Sequence, residues 1–538
     1  MRLLKTCIFT VIFALFFNTG KVQADHFLGG EITWKCLGSG QYKFQIIYYR
    51  DCGGQTAPNS LMLYSSVIGL PTLNLYAYSQ VDVSPDGFQA NGTTACLTCP
   101  AATPTSFAIA SLIEKITFES IPVTLPGVPP PGGWVFWYED CCRNPVTNNV
   151  NFAGQAAYLR LEARMFATGN QTAGICDDSS PFFVETPSFM SCLGIDKELQ
   201  HLAIDPDDDF LIYEFAPSLS DSGLVLPMMP GYTFSQPLPG FTQNPNNFVT
   251  NINMFNGEVL LNSHTNGRFV LNVKVTAYRG STKVSEIRRS YDLIITANCP
   301  PIIGNAPNLP PLWDAPFLDS TAAYTLYEDT VFAGDVVNFS KSLLEYDFFE
   351  NGSYQQGIFS VAGSQFGENF NSDSTGCLTP PCATIDLAIP DTFLLATTFV
   401  FNWQTAAAHL NTVGWNPAKT YYFLFRASDN YCPVNGSKVR IVSITVVDST
   451  VGLPVSTSAQ LFHVFPTASL DGFYQIFNPG NSNLAWTVVV TDVAGKIVWE
   501  NLSSRKKLDN LHIIDLSNQS RGMYFVNVNG TVKRILKL

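Results

Sequence analysis

One run of side chains is the most suggestive of chemistry: Asp205-Pro206-Asp207-Asp208-Asp209. Carboxylates at alternate positions of a turn can converge on a hard cation, and calcium takes about six to eight oxygen ligands. Asp205, Asp207 and Asp209 are therefore the candidate calcium ligands, and calcium is the one cofactor the sequence suggests. Asp347 and Asp429 are weaker, isolated candidates. The competing reading is a solvated acidic turn whose carboxylates accept backbone N–H groups.

Catalytic chemistry finds less support. The six histidines are His26, His201, His264, His409, His463 and His512. None lies in an HExxH pair, and no GxSxG nucleophile elbow occurs. His201, just ahead of the acidic turn, is expected to pack or cap there. No catalytic residue is assigned and no enzyme is expected. A pair of carboxylates acting on a glycoside would leave no linear motif. Trp134, Phe136 and Tyr138 alternate with Val135 and Trp137. Both faces are apolar, so a buried strand is expected there rather than a sugar-stacking surface.

Thirteen cysteines occur, one of them (Cys7) in the N-terminal apolar stretch. The other twelve are an even number. Cys96-x-x-Cys99 and the adjacent Cys141-Cys142 could hold zinc, but no histidine cluster accompanies them, and disulfides are expected. Their pairing is not legible.

The elements that must position these residues read as strands. Segments 30–36 and 42–50 alternate with the period of half-buried strands. Forty Phe and twenty-one Tyr, with seventy-two Gly plus Pro in total, describe aromatic strands punctuated by turns. The expected fold is all-β: several immunoglobulin- or PKD-like β-sandwich domains in tandem, plus a small C-terminal β-sandwich. The expected divisions are 25–176, a disulfide-containing β domain; 177–299, an Ig/cadherin-like sandwich; 300–449, a second PKD-like domain; 450–460, a Ser/Thr-rich linker; and 461–538. Hydrophobic content of 46% against 14% charged supplies real cores and argues against disorder. A net charge of −13 repels phosphate backbones and argues against nucleic acid as a partner.

Residues 1–24 read as a signal peptide. Arg2 and Lys5 precede the apolar run 7–17, and Val22-Gln23-Ala24 forms a small-residue cleavage site. The general secretory translocon is thus an expected partner. No later apolar run reaches the length of a membrane helix, so none is expected in the mature chain.

Two stretches resemble known families. The tail carries FPTASLDGFYQI (465–476), TVVVTDVAGKIV (487–498), RGMYFVNV (521–528) and KRILKL (533–538). It resembles the type A C-terminal sorting domain of type IX secretion cargo in Bacteroidota. The resemblance implies handling by that machinery and a secreted or outer-surface location. It assigns the signal to Asp492, Gly495, Lys496, Gly522, Tyr524, Lys533 and Lys537, with exposed basic residues at the chain end offered to the export machine. The body carries HFLGGEITWKC (26–36), IYYRDCG (47–53), CCRNP (141–145), HLAIDPDDDFLIYEF (201–215), AYRGSTKVSEIRRSY (277–291) and DNYCP (429–433). It resembles PKD-like, gliding-motility-associated surface proteins of Bacteroidota. In place of the Cys expected from that family, residues 406–408 are alanines, which leaves the partner of Cys432 open. The acidic turn resembles the Asp-Pro-Asp-Gly-Asp turn of cadherin-like modules, with Asp208 in place of Gly. The body's resemblance implies a modular extracellular protein with no catalytic activity and does not say what it binds; the expected role is adhesive or structural at the cell surface, with a surface glycan or protein as the candidate ligand. The alternative is an extracellular carbohydrate-binding protein or hydrolase accessory module.

Overall fold

The computed structural model describes residues 27–448 and 463–537, leaving aside 53–56, 86, 97–98, 100–111, 142, 144–145, 153–156, 169–174, 300–305, 319–324, 367–376, 411–417, 466–467, 470–471, 478–487, 493–494, 502–510 and 529–530. The signal peptide and the 450–460 linker lie outside the described residues. What is described is strand after strand, with a single short 3-10 turn, Ala407–His409. No described helix is long and apolar enough to cross a membrane.

The alternation seen in the sequence decides which side chains point inward. Along Gln41–Asp51 every second residue is buried as far as Tyr48, and Tyr42, Phe44, Ile46 and Tyr48 face the core. Phe44 meets Phe136 at 4.5 Å between ring centroids, and Trp34 meets it at 6.2 Å. Strands Phe27–Cys36, Gln41–Asp51, Ile113–Ser120, Thr72–Asp82, Ser60–Ser65, Trp134–Asp140, Leu159–Met165 and Thr282–Thr296 pair in that order. The last then pairs back onto Phe27–Cys36, so the hydrogen-bonded ladder closes into a ring. Closure leaves no edge at that seam. Gly29 of the FLGGE motif makes it possible, since a Cβ there would sit 2.3 Å from the Ser290 carbonyl oxygen; on its other side a Cβ on Gly30 would sit 2.3 Å from the carbonyl oxygen of Ile47 in strand Gln41–Asp51.

Gly267–Arg279 and Phe210–Phe215 extend the same sheet from Thr282–Thr296. One sheet therefore takes strands from both sides of residue 176, and a Cys36–Cys176 disulfide fastens that point to the opening strand.

The following segment builds a two-sheet sandwich. One sheet holds Glu328–Phe332, Ser437–Val447, Lys419–Asp429, Gln356–Ala362 and Asp391–Leu394; the other holds Val336–Leu344, Ala396–Gln404 and Thr384–Ile385. Their inner faces meet through aromatic rings, with Phe359 on Phe399 at 4.7 Å and Phe401 on Phe423 at 5.0 Å. Residues up to 314 and 327–448 form one compact unit. Val184, Leu202 and Ile204 pack with Leu424, Val439 and Ile441, and a Cys96–Cys432 disulfide crosses 336 residues of chain. That disulfide also answers the question of the Cys432 partner.

A second compact unit takes residues 449–538 with 315–326. Its described tail strands form two sheets, His463–Phe465, Phe473–Phe477 and Leu511–Asp515 in one, Ala468–Ser469, Thr531–Lys537, Gly522–Val528, Val488–Asp492 and Ile497–Asn501 in the other. Tyr474, Ile476, Val490, Ile514, Val526 and Ile535 fill the space between them.

Candidate functional site

The acidic turn links strand Ala203–Ile204 to Phe210–Phe215. Asp205 is buried, and its Oδ1 accepts the N–H of Asp207 at 2.9 Å and of Asp209 at 3.2 Å. Asp208 takes a φ of +66°, the conformation a glycine holds without cost, and its carboxylate pairs with Lys419. Asp207 Oδ2 accepts the Ser179 N–H. Asp209 receives Arg279 in a bidentate grip, 3.0 Å from Nε and 2.7 Å from the terminal nitrogen. The same guanidinium reaches Asp178 at 3.0 Å and the Asp177 carbonyl at 3.0 Å.

Asp205, Asp207 and Asp209 thus turn to three different partners: amides within the turn, the Ser179 amide of a separate segment, and an arginine. Among the described residues no group of three or more acidic, His or Cys side chains is arranged to hold a metal. The cation among these carboxylates is Arg279, which lies in the AYRGSTK motif. Burial, then the Asp205 charge, pushes the Asp178 carboxyl up to about 9. Burial, then Asp209, pushes Asp205 up to about 8. Asp205 Oδ2 and Asp178 Oδ2 are buried with no hydrogen-bond partner. One guanidinium does not compensate the whole set.

The isolated acidic candidates have protein partners as well. Asp429 accepts Asn308 Nδ2 at 2.7 Å and the N–H groups of Tyr431 and Gly436 at 3.0 Å. Asp347 Oδ2 accepts the Leu309 N–H at 2.7 Å. His201 is fully buried beside Tyr291, and burial holds its pKa down to about 3, so it packs as a neutral ring. His409 accepts the Ala406 N–H at 2.9 Å and packs on Trp403. In strand Trp134–Asp140 the first, third and fifth residues are buried, as expected; Trp137 is covered by Tyr64 and by the Arg160 guanidinium. Cys96 and Cys99 sit in separate disulfides, the latter with Cys52, so they hold no zinc between them. Cys141 is disulfide-bonded too, and Cys142 lies outside the described residues.

In the tail, the V-x-D-x-x-G-K run is a hairpin. The Asp492 and Lys496 backbones pair, Asp492 Oδ1 accepts the Lys496 N–H at 2.9 Å, and Gly495 takes a φ of +80°. Gly522 opens the next strand, and buried Tyr524 donates its hydroxyl to the Ser520 carbonyl at 2.5 Å. Lys533 lies on the last strand opposite Val526. Lys537 departs from the expected exposed cation. It is only 8% exposed, and its ammonium donates to the carbonyls of Leu516 at 2.8 Å, Ser517 at 2.6 Å and Gln519 at 2.6 Å. It clasps the turn of a neighbouring loop, because the strand Thr531–Lys537 runs its last side chain into those carbonyls.

One further feature has no signal in the residue pattern. A cleft of about 390 Å³ opens between segment 185–200 and the five-stranded sheet of the sandwich. Lys197, Gln200, Arg426 and Glu185 line it. Lys197 shares the buried face of the short strand Lys197–Leu199 with Leu199, a place where a core residue would ordinarily stand.

This is an all-β, disulfide-bonded modular protein. Residues 463–537 match the secretion system C-terminal sorting domain, and the chain is therefore handled by the type IX secretion machinery and placed at the outer cell surface or beyond. No curated protein matches the chain. Among solved structures it is similar to the N-terminal four Ig domains of Dscam1 isoform 6.44, with 10% identity over 67% of this chain and 78% of that chain, at a TM-score of 0.13.

Proposed function

We propose that this chain is a non-enzymatic adhesive or structural protein of the outer cell surface. The observation that supports this best is the interlocking of its body. The Cys96–Cys432 disulfide, the Arg426–Glu185 pair at 3.3 Å, the Arg440–Glu198 pair and the Lys419–Asp208 pair all join sequence-distant segments. Such cross-bracing suits a part that bears load outside the cell, where disulfides persist. A PKD-like, gliding-associated surface role in a member of the Bacteroidota, with residues 1–24 as the first export signal, agrees with it. Loss of the gene should weaken attachment of cells to surfaces, measured by retention under flow. Deleting residues 461–538 should leave the body in the periplasm, measured by fractionation. Normal attachment in the gene deletion would refute the adhesive role; secretion of the truncated chain would refute the sorting role.

A further inference from the structure

The cleft lined by Lys197 is built around a cation with nothing to hold. Lys197 is 8% exposed, and no hydrogen bond or ion pair reaches its ammonium among the described residues. The anions around it are already engaged. Glu185 pairs with Arg426 at 3.3 Å. Glu198 pairs with Arg440 and accepts the Val439 N–H at 2.8 Å. Asp429 is held by Asn308 and by backbone amides. An ammonium taken out of water without a partner is costly, and that cost is recovered when an anion arrives. Burial, then the nearby Arg426 charge, lowers the Lys197 pKa to about 8, so the ammonium form still prevails at neutral pH.

The cleft therefore presents one cation seeking an acceptor. Serine hydroxyls at 188, 360 and 428 and the Asn435 amide surround it. The volume far exceeds that of a simple inorganic ion and falls in the range of small-ligand pockets. The paired carboxylates on its walls disfavour a doubly charged guest.

We infer that this cleft binds a singly charged, hydroxyl-rich carboxylate of about one sugar ring, a uronic acid, with its carboxylate on Lys197 and its hydroxyls on the lining serines and Asn435. The inference does not depend on the adhesive reading.

The test is titration calorimetry on the full mature chain with glucuronate, glucose, acetate and inorganic phosphate. Glucuronate should bind at least about tenfold more tightly than the other three. Lys197→Met keeps the aliphatic stem and should weaken glucuronate binding about tenfold or more, while thermal stability stays the same or rises, because an unpartnered buried charge is removed. Ser360→Phe, which fills the cleft and leaves Lys197 in place, should abolish binding and decides the matter if the lysine variant does not fold. Three results would overturn the inference: no glucuronate binding, acetate or phosphate bound as tightly as glucuronate, or unchanged affinity in the folded lysine or serine variant.

Discussion

Replacing Arg279 with Met keeps much of the side chain's bulk and removes the one guanidinium among Asp178, Asp207 and Asp209. The contacts at stake are the bidentate grip on Asp209, at 2.7 and 3.0 Å, and the 3.0 Å contact to Asp178. Two unit charges about 4 Å apart at an effective dielectric constant near 20 interact by about 4 kcal/mol. The Arg279 side chain is 34% exposed, so solvent screening reduces this to about 2 kcal/mol of net stability. The loss should depend on pH. Asp178 and Asp205 have folded pKa values of about 9 and 8, above their unfolded values near 4. Between those limits the folded state binds more protons than the unfolded state. The stability from these groups is full below about pH 4 and is lost as pH rises through 8 and 9. Without Arg279 the Asp178 carboxyl is pushed higher still. The variant should therefore fall further below the wild type at about pH 10, above the wild-type Asp178 value, than at about pH 5. The assay is urea unfolding of both proteins at the two pH values, with millimolar calcium and with chelator. A deficit that is equal at both pH values would refute the electrostatic account. A wild-type midpoint raised by calcium would show that the metal, and not Arg279 alone, compensates these carboxylates.

Three further outcomes follow from the geometry. Replacing Cys96 and Cys432 together by Ser should cost about 3–5 kcal/mol in denaturant unfolding, since the bond closes a very long loop even after other disulfides shorten it; a change below about 1 kcal/mol would mean the segments dock without it. Gly29→Val should prevent ring closure and give insoluble protein on expression, because its Cβ would lie 2.3 Å from the Ser290 carbonyl oxygen across the closing seam; a soluble variant with wild-type near-ultraviolet dichroism would contradict this. Lys537→Met removes three charge-assisted hydrogen bonds to carbonyls and should destabilise the tail by about 2–3 kcal/mol, read as faster proteolysis of residues 463–537 in the intact chain, whereas an exposed handle would leave proteolysis unchanged.

Strand identity, the all-β class, the disulfide habit and the sorting tail were legible from residues alone. Each depends on a local property: alternation along Gln41–Asp51, the apolar faces of Trp134–Asp140, an even cysteine count, or the hairpin run ending in Gly495-Lys496. The partner each residue meets depends on which distant strands come together, and short-range pattern is silent about that. Only the tertiary structure places Arg279 among the carboxylates of the 205–209 turn, joins Cys96 to Cys432, and closes a ring through Gly29 and Gly30. Only the tertiary structure turns Lys537 inward to three carbonyls. Lys197 shows the difference most sharply. In sequence it is one lysine beside an acidic neighbour, whereas in the fold Glu198 is taken by Arg440 and Lys197 is left as a buried cation facing a cleft.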